Sequence, residues 1–108
     1  MTPKQFRFEK INISVHAQVR AFSRTKLNSA ITLAHEAYES LENGIDVMAD
    51  ETLRPMYESR GNVPCCGVYA RKGIVFVFVE ETLVTVYPIQ WLAIFDKGSY
   101  EAEHLLAA

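Results

Sequence analysis

His16, Arg20 and Arg24 recur every four residues, a spacing that lines side chains up along one side of a helix. Tyr69 and Arg71 are two residues apart, as are Thr85 and Tyr87, and on strands each pair shares a face. Brought together, these groups suit the cleavage of a phosphodiester within RNA. That reaction needs a base for the 2′-OH proton and an acid for the leaving 5′-oxygen. It also needs positive charge where the phosphate oxygens gain negative charge. Histidine can serve as base or acid, and arginine grips two phosphate oxygens at once. Threonine and tyrosine hydroxyls can orient the phosphate, and no metal or cofactor is required. Each group also has a plainer reading. A lone histidine on a short helix is usually a surface residue, Arg20 and Arg24 can pair with Glu36 or Glu39, and Thr85 and Tyr87 are residues that strands favour.

The elements that must position these groups follow from local patterns. Ser14 can cap a helix over Ser14 to Ser23, with Val15, Val19 and Phe22 as its buried face and the basic row beside it. Thr25 or Asn28 can cap a second helix, whose apolar stripe is Leu27, Ile31, Ala34, Tyr38 and Leu41 and whose stop is Gly44. Thr2 to Asn12 begins extended, and Ile45 to Met48 is a candidate short strand. Asp50 to Pro64 lacks a period and reads as a long loop with one helical turn around Thr52 to Tyr57. Three β-rich runs follow, Gly67 to Arg71, Ile74 to Val79 and Thr82 to Tyr87. Lys72-Gly73 and Glu80-Glu81 are the turns between them, with Gly73 supplying a positive φ. Ile74 to Val79 hardly alternates, which predicts a central strand covered on both faces. Trp91, Leu92, Ile94 and Phe95 suit a last strand or a turn of helix.

The expected architecture is therefore one α+β domain of two layers, with two N-terminal helices packed on a C-terminal antiparallel β-meander. Residues 1–12 form an extended segment, 13–95 the core, and 96–108 a C-terminal helix or tail.

Composition narrows the function classes. The 108 residues suit a single domain. The net charge of −2 argues against a strongly basic nucleic-acid binder. The charge is polarised, however: Met1 to Lys26 holds six bases and one acid, and Leu27 to Leu53 holds six acids and no base. No apolar run approaches the roughly 20 residues of a membrane-spanning helix, and no apolar signal core follows the N-terminus, so a cytoplasmic protein is expected. Cys65 and Cys66 are adjacent and lack metal-ligand spacing; they read as reduced thiols.

His16-Ala17-Gln18-Val19-Arg20, followed by Arg24 and a second helix, resembles the "HA-x-x-R … R" opening of small phage- and plasmid-associated domains. Those are grouped with the barnase, EndoU, colicin D and RelE-like ribonuclease toxins. The family pattern closes with a meander ending in Thr-x-Tyr, and Thr85-Val86-Tyr87 stands there. The resemblance spans Ile13 to Pro88. It implies a RelE/colicin D-like helix-on-sheet fold and, in active members, metal-independent RNA cleavage. Catalytic roles then fall to His16, Arg20, Thr85 and Tyr87. Arg24, Lys26, Tyr69 and Arg71 are the candidate RNA-binding residues, the last two by geometry alone.

Two functions follow from this reading. One is a toxin-like endoribonuclease, with RNA as its substrate and a cognate antitoxin or immunity protein as its partner. The other is a catalytically inactive interaction or inhibitor protein on the same fold, of phage or mobile-element origin, which binds a target protein through its acidic loop or helix. The slight acidity, the acidic stretch Asp46 to Val63 and the tail beyond Pro88 fit the second. A homodimer through an exposed sheet edge is a further option.

Overall fold

A computed structural model describes residues 3–59 and 67–94. Cys65, Cys66 and the expected C-terminal helix or tail lie outside the described residues. The order of elements is β1 (Phe6–Phe8), β2 (Ile11–Ile13), α1 (Val15–Arg24), α2 (Ala30–Asn43), β3 (Ile45–Asp46), a 3-10 turn (Val47–Ala49), α3 (Leu53–Ser59), β4 (Gly67–Arg71), β5 (Ile74–Val79), β6 (Thr82–Pro88) and α4 (Gln90–Ile94). The domain is α+β, with a six-stranded mixed sheet in the order β1-β2-β6-β5-β4-β3.

β4, β5 and β6 form the antiparallel meander read from the sequence. Gly73 turns at φ +78 and Lys72 at φ +51, the pair of left-handed residues that a two-residue hairpin turn needs. The first two strands form another hairpin, around Glu9 and Lys10, and β2 then pairs in parallel with β6. That parallel pairing joins residues some seventy positions apart and makes the sheet mixed.

Helices cover both faces, so the two-layer expectation is corrected. On one face α1 lies chiefly on β6 and α2 on β4. Their Ala17, Ala21, Leu33, Ala34 and Ala37 pack with Ile11, Ile13, Phe76, Phe78, Leu83 and Val86. On the other face Val47, Tyr57 of α3 and Leu92 of α4 pack with Val68, Ala70, Val75, Val77 and Tyr87. Phe76 and Phe78 thus point one way and Val75 and Val77 the other. β5 is the strand buried on both sides, as its unbroken apolar run requires.

The expected short strand Ile45 to Met48 ends after Asp46 and gives way to the 3-10 turn, and the helical turn expected within the Asp50 to Pro64 loop is α3; both are capped by acids. Asp46 accepts from the Met48 amide at 3.1 Å, and Asp50 accepts from Thr52 and Leu53 at 2.9 and 2.8 Å. Each satisfies donors that a helix start leaves open. Ser14 caps α1 as expected, accepting from the Ala17 amide at 3.0 Å. α2 is capped by Ser29 rather than by Thr25 or Asn28.

The orientation of α1 is the main departure. Val15, Val19 and Phe22 are 40%, 49% and 40% exposed, while Ala17, Gln18 and Ala21 are buried. Alanines let the helix backbone approach the sheet closely. Gln18 accompanies them because its Nε2 donates to the Lys4 carbonyl at 2.7 Å, which removes the penalty of burying an amide. Ile31, expected in the stripe of α2, is also exposed.

Candidate functional site

α1 carries the predicted basic row. His16 is exposed, and Arg20 donates its Nε–H to His16 Nε2 at 3.1 Å. Arg24, at the end of the helix, donates to the Val86 carbonyl at 3.3 Å. Its guanidinium lies 4.7 Å from the centre of the Trp91 ring. Trp91 in turn stacks on Tyr87, with centroids 6.2 Å apart and planes inclined by 10°.

The β6 residues do not face this row. Thr85 stands opposite Val77, and Tyr87 opposite Val75, and directly opposed residues of an antiparallel pair share a face. Val75, Val77 and Tyr87 belong to the core under α3 and α4, whereas Ala17 and Ala21 of α1 belong to the core on the other side. A β-bulge contributes to this placement. Phe78 pairs with Leu83 and Val77 with Thr85, so Val84 is the extra residue of β6. Thr85 and Tyr87 do share a face, as expected, but the thickness of the sheet separates them from His16 and Arg20. Tyr87 is only 2% exposed. The expected cleft shared by His16, Arg20, Thr85 and Tyr87 is not assembled.

Tyr69 and Arg71 also share a face, the one under α1 and α2, but both are engaged there. Tyr69 meets Phe78 edge-on, with ring centroids 6.0 Å apart. Arg71 pairs with Glu36 of α2 in a partly buried salt bridge. Glu36 is therefore taken by Arg71, with Lys72 at 3.7 Å, and not by Arg20 or Arg24. Arg71 would have to give up this pair to hold RNA.

Four of the other five acids between Leu27 and Leu53 are also engaged. Glu42 pairs with Lys10 at 2.8 Å, and this partner raises the Lys10 pKa, first through its hydrogen bond and then through its charge. Glu39 accepts from Asn43. Asp46 and Asp50 serve as caps.

Of the RNA-binding candidates, Arg24 and Lys26 do come together, in an open cleft that Lys72 also lines. Trp91, read from the sequence only as apolar mass, is the residue that reasoning missed. It is the single tryptophan of the chain, three residues beyond the proline that ends β6, and it fixes the guanidinium of Arg24. Among the described residues no group of three or more His, Cys, Asp or Glu is poised to hold a metal ion, and no helix is long and apolar enough to cross a membrane. The sheet edges are β1 and β3, of three and two residues, and edges that short offer little to a second copy.

No family model, curated protein or solved structure matches the chain.

Proposed function

We propose that the protein is a non-catalytic interaction domain, of the phage or mobile-element origin that the resemblance implies, which docks a protein partner on the outward face of α1. The observation that carries this reading is the exposure of Val15, Val19 and Phe22 on a helix that buries its alanines instead. Exposed apolar side chains grouped on one face favour a partner more than solvent. The same helix bears His16 and Arg20 and no acid, so the complementary surface is apolar with a carboxylate rim. The endoribonuclease reading is the weaker one, because it needs His16 and Arg20 to act on the same phosphate as Thr85 and Tyr87.

Affinity capture with wild-type protein, followed by titration of the purified captured partner against variants, tests the reading. Val19→Asp should weaken binding about a hundredfold, a value typical of a central interface anchor. Lysine in place of Glu39 should leave it unchanged. Binding that survives Val19→Asp and fails with Glu39→Lys would assign recognition to the acidic helix instead.

A further inference from the structure

The outward face of α1 also specifies the shape of what covers it. Val15, Val19 and Phe22 follow one another at intervals of four and three residues, the alternation of a coiled-coil seam. At 3.6 residues per turn they span about 60° of the helix circumference. That is narrower than the apolar stripe with which a helix covers a domain core. Ser23 borders the stripe on one side. Its hydroxyl donates back to the Val19 carbonyl at 3.0 Å, so it needs no partner and leaves a low shoulder. A stripe this narrow accepts the side chains of one facing helix rather than a broad apolar surface. α1 has 10 residues, so the seam is about 15 Å long.

Cations flank the stripe on both sides. Beyond Ser23 stand His16 and Arg20. On the opposite side lies Gln18, whose Nε2 donates to the Lys4 carbonyl at 2.7 Å and so places the exposed Lys4 beside the stripe. The ion pairs of the described residues draw their cations from Arg7, Lys10, Arg54, Arg71 and Lys72. Lys4 and Arg20 are thus matched by no acid among the described residues. Arg20 uses one N–H on His16 Nε2 at 3.1 Å, a neutral acceptor that leaves its charge uncompensated.

We infer that the element docked on α1 is a single amphipathic helix of a different protein, with an apolar seam bordered on both sides by Asp and Glu. The inference rests on α1 being the docking face and adds what lies on it. Charge decides against a second copy of the chain. α1 against α1 would bring Lys4, His16 and Arg20 toward their own counterparts with no acid between them. An anionic lipid surface would attract the same cations, but an interfacial helix sinks its apolar face into the acyl boundary. α1 is held on the sheet by Ala17 and Ala21 and has only a narrow stripe to insert.

Selection on the full chain from a display library tests it, with leucine fixed at the a and d positions of a heptad repeat and the other positions randomised. Peptides retained by the wild type should be free of proline and enriched in Asp and Glu at e and g. Arg20→Glu as bait should instead enrich Lys and Arg there, a change that loss of fold could not produce. The tightest wild-type peptide, made synthetically, should weaken at least about tenfold with Val19→Asp and weaken as salt rises. No enrichment beyond that of a Val19→Asp bait, neutral or basic flanks, or the same flanks on both baits would overturn the inference. If the captured natural partner still needs Val19, the docking face stands and only the acidic helix falls. Self-association, or binding to phosphatidylserine vesicles, that Val19→Asp abolishes would overturn it in favour of a second copy or a lipid surface.

Discussion

Tyr87 lies directly opposite Val75 in the β5–β6 ladder, and both side chains are buried in the core beneath α3 and α4. A tyrosine so placed is a packing residue whose ring continues into the Trp91 stack and, through it, to Arg24. Tyr87 therefore anchors α4 to the sheet, and the helix that carries His16 lies across the sheet from it.

The orientation of α1 is testable through stability alone. Val19 is exposed and Ala21 is fully buried. Val19→Asp should change unfolding free energy by no more than about 0.5 kcal/mol, as for surface changes in general. Ala21→Asp places an unpaired carboxylate in the core shared with Phe76, Leu83 and Val86 and should abolish cooperative unfolding. Denaturant titrations of both variants check this. A large loss for Val19→Asp with little change for Ala21→Asp would restore the face read from the sequence.

Gly44 ends α2 for lack of space. A Cβ there would stand 2.4 Å from the Ser40 carbonyl oxygen and 3.0 Å from that of Ala70. Both obstacles are backbone atoms and cannot swing away. Gly44→Ala should therefore destabilise by about 1–3 kcal/mol, the usual cost of overpacking, read as a lower denaturation midpoint. A neutral result would mean that the junction of α2 and β3 is looser than described.

Lys10 gives a pH-dependent signature. Its pKa is raised by the hydrogen bond and charge of Glu42. A raised folded-state pKa adds stability that is fully present below the ordinary value of 10.5 and is lost as pH rises through the folded value. Both groups are exposed, so the effect on stability is small. NMR titration of the Lys10 side chain should show a pKa above the ordinary one, and Glu42→Gln should bring it back. No difference between wild type and variant would remove the pair.

The meander was legible because β-branched and aromatic runs separated by turn residues are local signals. The caps at Ser14 and the stop at Gly44 were legible for the same reason. The parallel pairing of β2 with β6 was not, since it joins distant residues through three-residue strands and leaves no period in the sequence. α1 misled by its largest residues. Spacing identified a helix with Val15, Val19 and Phe22 on one side, but spacing cannot say whether that side or the Ala17–Ala21 side meets the sheet. Buried Gln18 could have hinted at the answer only once its carbonyl partner at Lys4 was known. For the site, the alternation that put Thr85 beside Tyr87 was readable, whereas the face they share depends on ladder register and on the bulge at Val84.

The most direct test of the central claim is an RNA cleavage assay. Wild-type protein, His16→Ala and Tyr87→Phe are incubated with tRNA in EDTA, and products are resolved on a gel. With His16 and Tyr87 on opposite sides of the sheet, none of the three should cut RNA. Cleavage by the wild type that disappears in both variants would contradict the account, because it would require the two groups to meet at one phosphate.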